Sequence, residues 1–562
     1  MKSSHSPARV FAAFDDPNLI AHAGLVPVIR LAERCGLPAL VAEKVRLTGA
    51  KNGAGTAADA KAMSVVSGMV TGADSIDDLD VLRHGGLPKL FGGVRAPSTL
   101  GTFLRAFTWG HVRQLDSAAR AFTCNLAAHT GFVPKSDEVV FVDIDSKVKQ
   151  VYGPAKQGAS FGYTKVRGLH FQIVTVKTAT CAPVIVATRL RKGSAGSGKG
   201  AASLLREALA TVRAMGITAQ IIVRADSAYF SHKVVAACRK AGARYSLALA
   251  VTQTIRAAIE TMDPDAWTPI QYTDALWDQE EERWVSDAEI AEIEFTAFTS
   301  KKKAFHTTAR LIVRRVKRLN PKTLPEGQSE LFAVWRHHVI FTDSPFVLSD
   351  AEPMHRAHAA VEQVFADQED SALGHLPSGK FTANAAWLTL AATAYNLTRA
   401  AGHLASAFHA KARTGTIRRH LIAVPARIAR PGRQVALHLP QRWRWADDFA
   451  DLWTATGPAH ADLTAGPRRP PTTWNTSENP PPERHPETPA ARNRKPTPKA
   501  ITSRDQRSRD GSRLRRPQST TARLSIPLPK PFVVSAPPTA SASKNSNSDW
   551  PPHTARSCAC NA

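Results

Sequence analysis

The sequence predicts an α/β protein. A mixed β core is interrupted by a β-rich insertion, preceded by a helical N-terminal domain and followed by a disordered C-terminal tail. Three observations carry this expectation. Near residue 138, helical spacing of apolar residues gives way to short β-branched runs, EVVFVDID, HFQIVTVKT and APVIVATRLR. Helical segments then alternate with further apolar runs. Beyond about residue 457 the chain turns proline-rich and loses its apolar periodicity.

Residues 1–135 read as mostly helical, a domain for DNA binding or dimerisation. LIAHAGLVPVIRLAERCGLPALVAEKVRL places apolar residues at helical intervals, interrupted by Gly36 and Pro38. SIDDLDVLRHGGLPKLF and APSTLGTFLRAFTWGHVRQLDSAARAF follow, with Ser98 or Thr99 as the expected N-cap after Pro97. Residues 136–251 supply three consecutive strands and then the helix KGAASLLREALATVRAMG, ending at Gly216. The strand AQIIVRAD, the helix SHKVVAACRKAG and the strand ARYSLALAV complete the run. Strand–strand–strand–helix–strand–helix–strand is the order of a ribonuclease-H-like core. Residues 252–350 alternate apolar and polar positions in EIEFTAFTS, ARLIVRRVKR and ELFAVWRHHVIFTDS, as in an antiparallel insertion. Residues 351–456 return to helix and end in the basic, partly extended TIRRHLIAVPARIARPGRQVALHLPQRWRW. Residues 457–562 hold 19 of the 38 prolines. They cannot bury enough apolar surface to offset the entropy of ordering.

The formal net charge is +26, from 73 Lys and Arg against 47 Asp and Glu. The tail carries 17 basic and 7 acidic residues, which leaves +16 on the remainder. That surplus favours a polyanionic partner through counterion release. The six cysteines, Cys35, Cys124, Cys181, Cys238, Cys558 and Cys560, show no disulfide framework and no paired zinc spacing. The longest apolar stretch, around Ala385–Phe408, is broken by Asn396, Arg399 and His403, so a buried helix is expected and no membrane span. With no secretory signal at the N-terminus, a cytoplasmic, nucleoid-associated protein is expected.

Three acids carry chemistry. Asp145 ends the first core strand and Asp226 the fourth, 81 residues later. Glu362 follows on a helix 136 residues further on. Three carboxylates gathered at one place can hold two divalent ions, which activate a water or a 3′-hydroxyl and stabilise the leaving oxygen of a phosphodiester. Asp143 shares a strand face with Asp145, and the sequence leaves open which of them is the first ligand. His355, His358, Glu362 and Glu369 fall on one helical stripe. The histidine spacing is not the i, i+4 pair of zinc helices.

FVDIDS, VRADSAYF, RWVSDAEIAEIEFTAFT and HRAHAAVEQVFADQEDSALGHLPSGKF together resemble the DDE transposases of bacterial insertion sequences, over about residues 10–455. In the relevant branch the third acid lies in Tyr-x-x-Arg-x-x-x-Glu-x6-Lys, and a β insertion precedes that helix. The resemblance implies a DNA transposase with Asp145, Asp226 and Glu362 as catalytic and metal-binding residues. It implies two Mg2+ or Mn2+ ions, double-stranded DNA with terminal inverted repeats and target DNA as partners, and a homodimer in the DNA complex. His355 stands where the family has Tyr or His, His358 where it has Arg, and Glu369 where it has Lys. Ser146 and Lys147 follow Asp145 where a Thr is usual. An anion at position 369 is expected to repel phosphate, so that Glu369→Lys would raise activity.

The candidate DNA contacts are Lys147, Lys149, Arg356, His358, Arg418 and Arg419, with Lys156, Lys165, Arg314, Arg315, Lys317, Arg318, Arg442 and Arg444 as further cations. Trp443 and Trp445 are placed to stack on an exposed base. Two rival readings remain at this stage: an inactive DNA-binding remnant, and a ribonuclease-H-like nuclease without strand transfer.

Overall fold

The structure is a computed structural model. It describes residues 10–133, 139–177, 182–270, 277–278, 283–284, 288–317, 335–430, 432 and 434–457. The described residues belong to one compact unit. The proline-rich tail, Cys181, Cys558, Cys560 and Arg318 lie outside them.

The N-terminal part opens with the short strand β1 (Leu19–Ile20), then α1 (Leu25–Arg34) and α2 (Leu37–Lys44). Leu25, Val28, Leu31 and Ala32 form the buried stripe of α1. Gly36, at φ 77°, makes the left-handed turn between the two helices. α3 (Ala58–Thr71) follows. SIDDLDVLRHGGLPKLF then forms two 3-10 segments, Asp77–Arg83 and Leu87–Lys89. Three aspartates and a Gly pair make full α-helix costly there. α4 (Pro97–Arg105) begins on Pro97 itself, and neither Ser98 nor Thr99 caps it. A proline is preorganised for the first helical position, so the cap falls at Ala96, two residues before Ser98. α5 (Trp109–Thr130) starts in a reciprocal cap between Thr108 and His111.

The core sheet is built from β2 (Val140–Gln150), β3 (Ser160–Phe161), β4 (Arg167–Lys177), β5 (Val184–Lys192), β6 (Ile221–Ala225) and β7 (Arg244–Leu249). β2 pairs antiparallel with β4 and parallel with β6. β4 pairs with β5, and β6 runs parallel to β7. The five main strands therefore lie in the order β5-β4-β2-β6-β7. α6 (Ala201–Ala214) connects β5 to β6, and α7 (His232–Lys240) connects β6 to β7.

The next segment starts with α8 (Gln253–Glu260), capped by Thr252. β8 (Thr268–Ile270), β11 (Ala288–Ala297), β12 (Thr307–Lys317) and β13 (Trp335–Thr342) follow, with the pair β9 (Trp277–Asp278) and β10 (Arg283–Trp284) forming a separate two-stranded ladder. β13 pairs antiparallel with β7, so these strands continue the core sheet beyond its edge. The edge strand that β7 would present is covered in this way.

The segment expected as one helix from about 352 is broken. α9 (Leu348–Arg356) and α10 (Ala360–Glu369) are separated by a 3-10 turn at Ala357–Ala359. Pro353 sits inside α9 and removes a backbone donor there. α11 (Phe381–Ala405) is buried nearly all round and packs on α5 and β5. Asn396 accepts from Ile185 N at 2.9 Å and donates to Ile185 O at 2.7 Å, so its amide stands in for a neighbouring strand at β5. Asn396→Leu leaves both backbone groups buried and unpaired. Chemical denaturation should show a loss of about 2–4 kcal/mol, and an unchanged midpoint would mean that β5 has other partners there.

β14 (Ala426–Ala429) and β15 (Ala436–His438) close a small sheet with β1, and α12 (Ala446–Thr456) follows near the end of the described residues. No helix of the described residues is long and apolar enough to cross a membrane.

Candidate active site

β2 alternates its side chains, so Asp143, Asp145, Lys147 and Lys149 lie on one face. α10 packs against β2. Between its two ends Phe365 meets Phe171 edge-on, at 5.6 Å between ring centres, and Phe171 is the register partner of Lys147.

Asp143 is fully buried and bound at both oxygens. Arg224 Nε donates to Oδ1 at 2.7 Å and Nη2 to Oδ2 at 2.8 Å. His358 Nδ1 lies 3.2 Å from Oδ1. Burial pushes the Asp143 carboxyl up, but His358 and Arg224 outweigh it and hold it below the usual range. Arg224 also donates to the Met354 carbonyl, tying α9 to the sheet. With its oxygens committed, Asp143 is a structural ion-pair partner.

Asp145 differs. Its only hydrogen bond among the described residues is from the Ser146 backbone N–H, at 2.6 Å. Burial raises its carboxyl to about 6, and the nearby charges of Asp226 and Glu362 add to that rise, against Ser146 N–H and His358. Asp226 sits just past β6, at the sheet's C-terminal edge, and caps the turn Ser227–Tyr229 by accepting from Ala228 N at 3.0 Å. Partial desolvation raises it, while the Ala228 N–H and His358 oppose the rise. Glu362 is exposed in the first turn of α10. The structure thus brings Asp226 and Glu362 within electrostatic reach of Asp145.

Among the described residues, no three His, Cys, Asp or Glu side chains are gathered tightly enough to hold a metal ion as they stand. The donor chemistry nevertheless fits one. Three carboxylates are hard oxygen ligands suited to Mg2+ or Mn2+. Asp226 and Glu362 add to the rise that burial causes at Asp145, and a bound cation would offset that like-charge contribution.

A family model described as Transposase DDE domain group 1 matches residues 2–458. The chain belongs to this DDE transposase family. It is an enzyme of the DDE-transposase type, a family that generally uses divalent metal ions. No curated protein matches this transposase. Among solved structures it is similar to the piggyBac transposase synaptic complex with hairpin DNA, at 11% identity over 71% of this chain and 79% of that one, with a TM-score of 0.34.

The other expected site residues of the transposase fall differently. His355 is turned inward, with Nδ1 2.9 Å from Ser246 Oγ, and burial lowers its pKa to about 3. His358 faces Asp143 and not solvent, which corrects its reading as a DNA contact. Arg418 is also corrected. It is half-buried and donates to the Val70 carbonyl at 3.3 Å, whereas Arg419 is exposed. Arg356 bonds Glu352 at 2.9 Å. Lys147 and Lys149 meet Glu369 at 2.5 and 3.6 Å. Glu369 is therefore ion-paired and does not stand open to phosphate, contrary to the expectation from its position. Trp443 donates to the His420 carbonyl at 3.0 Å, and Trp445 stacks on His420 and Phe408 at 4.3 and 5.4 Å between ring centres, so both serve packing in place of base stacking.

Two residues escape the sequence reading. Arg224 is 1% exposed and organises Asp143; a lone cation inside the apolar run AQIIVRAD is the signal that could have found it. Glu352, equally buried, receives Arg314 at 2.9 Å, and this joins α9 to β12. Arg356 at i+4 is a local signal for Glu352, but Arg314 lies 38 residues away on a different element, and no local pattern marks that pairing.

Proposed function

We propose that this transposase cleaves DNA at the ends of a bacterial insertion sequence and transfers the resulting 3′-hydroxyl ends into target DNA. The observation that carries this reading is the placement of Asp145 and Asp226 just past the paired residues Ile144 and Ala225 of the neighbouring strands β2 and β6, with Glu362 on α10 packed against β2, in a DDE transposase family member. Asp145, Asp226 and Glu362 are the ligands for two Mg2+ or Mn2+ ions. Bound there, the ions supply Lewis-acid polarisation and an activated oxygen nucleophile. Asp145 and Asp226 orient the reacting phosphodiester at the sheet's edge, and Glu362 completes the set from α10. His358, in the field of all three aspartates, tempers the charge they gather.

The substrate is double-stranded DNA bearing terminal inverted repeats, bound by a homodimer on the nucleoid in the cytoplasm. A cleft of about 830 Å³ adjoins the end of β2, lined by Arg105, Lys149 and Lys156, with Tyr152 exposed at its side. Cations with an aromatic platform suit a nucleic-acid strand.

The test uses labelled duplexes carrying the element's ends, with Mg2+ or Mn2+ and with chelator. Wild-type protein should cleave and join only with metal. Asp226→Asn and Glu362→Gln should bind DNA and lose both reactions by about 10²–10³-fold. Cleavage without joining would make the protein a nuclease, and binding without cleavage an inactive remnant.

A further inference from the structure

Where α10 ends, an acid faces the lysines of the strand beneath it. Glu369 Oε2 lies 2.5 Å from Lys147 Nζ and Oε1 3.6 Å from Lys149 Nζ. Along the face of β2 the order is Asp143, Asp145, Lys147, Lys149. Along the helix side it is His358, Glu362, Glu369. His358 meets Asp143, and Glu369 meets the two lysines. The four to six residues of strand from Asp143 to the lysines span about 13–20 Å, and the eleven residues from the 3-10 turn to the end of α10 about 16 Å. The helix and strand therefore run alongside each other, with Glu362 and Asp145 between the two tied ends.

That middle pair repels, since both are acids with a third, Asp226, nearby. Burial of Val361, Val364 and Phe365 holds the helix down, and apolar packing is non-directional. The ion pair at the far end supplies direction. It sets how far along β2 the helix sits, and so where Glu362 stands.

We propose that Glu369 is a positioning residue: through its ion pair with Lys147 and Lys149 it fixes α10 on β2 and holds Glu362 beside Asp145 for divalent-cation binding. The inference rests on the metal-site reading above. Glu369 is not an obstacle to phosphate in this arrangement. It holds the two cations on the strand, two and four residues past Asp145.

The test is Mn2+ binding by full-length protein without DNA, read as the thermal shift across a Mn2+ titration. Glu369→Gln should weaken apparent affinity by about tenfold, the scale for groups that orient ligands. Lys147→Gln is the decisive variant. Removing a positive charge near a cation site should tighten binding if the lysine acts only through its field. The positioning role requires weaker binding instead. Glu369→Gln with Lys147→Gln should be no worse than either alone, and the exchanged pair Glu369→Lys with Lys147→Glu should recover most of the affinity. Glu369→Lys alone should be the weakest, because three cations then meet.

Unchanged affinity in the single variants, additive losses, or tighter binding in Lys147→Gln would each overturn the inference. Those outcomes leave the metal site standing. If the wild-type protein shows no saturable Mn2+ shift, or the same shift with Asp145→Asn, the metal-site reading fails first and this inference falls with it.

Discussion

Arg224→Met should destabilise the protein by about 3–5 kcal/mol at neutral pH, the range for leaving a buried charge without its partner. Asp143 is fully buried and Arg224 is 1% exposed, so no solvent replaces the lost guanidinium. The pH dependence identifies the cause. In the wild-type protein the folded-state carboxyl of Asp143 is depressed. It contributes stability above the unfolded pKa, which is lost as pH falls through the folded value. Without Arg224, only His358 is left to oppose burial, so the carboxyl rises relative to wild type and the variant gains less stability than wild type as pH increases. The deficit should be large at pH 7.5 and smaller near pH 4.5, read by urea denaturation at both. Asp143→Leu combined with Arg224→Met should recover much of the loss, since a neutral pair leaves no buried charge. A deficit independent of pH and unrelieved in the double variant would mean that Arg224 acts by packing alone, over the Phe141 ring that it covers at 4.1 Å.

The order of core elements was legible because each carries its own local signal. β-branched runs mark β2, β4 and β5, and apolar periodicity with Ser231 as cap marks α7. Asp226 was legible as an acid at a strand end, whereas Asp145, expected to end its strand, lies midway along β2, which runs on to Gln150. Their partners were not legible. Alternation puts Asp143 and Asp145 on one face, but only the parallel register of β2 with β6 sets Arg224 opposite Asp143. That pairing crosses 81 residues of chain, and the pairing of Lys147 with Glu369 crosses 222. Spacing gave the stripe of His355, His358, Glu362 and Glu369 but not its partners or the 3-10 turn at Ala357–Ala359 that it crosses. His355 meets Ser246, His358 meets Asp143 and Glu369 meets Lys147 and Lys149, while Glu362 stays exposed.

Asp145→Asn should abolish activity and at the same time stabilise the metal-free protein. The activity loss, about 10²–10³-fold, follows from removing one carboxylate of the proposed metal site. The gain in stability follows from the carboxyl's raised value, about 6 against a model value of 3.8. A raised folded-state pKa means that the native state binds the proton more tightly than the unfolded chain does. Stability is therefore lost as pH rises from about 3.8 through about 6, and stays lost above that. Asparagine does not titrate and escapes the loss. The shift sets a ceiling of about 3 kcal/mol, and shared charge with Asp226 and Glu362 reduces what one substitution recovers to about 1–2 kcal/mol. In chelator, the variant should melt above wild type at pH 7.5 and level with it near pH 4. Adding Mn2+ should close the gap by stabilising wild type, by about 2.7 kcal/mol at a hundred times its dissociation constant, with little effect on the variant. A variant less stable than wild type at pH 7.5 without metal would show that Asp145 is a folding residue. The strain at β2 would then not be the mark of a site shaped for a cation that arrives after folding.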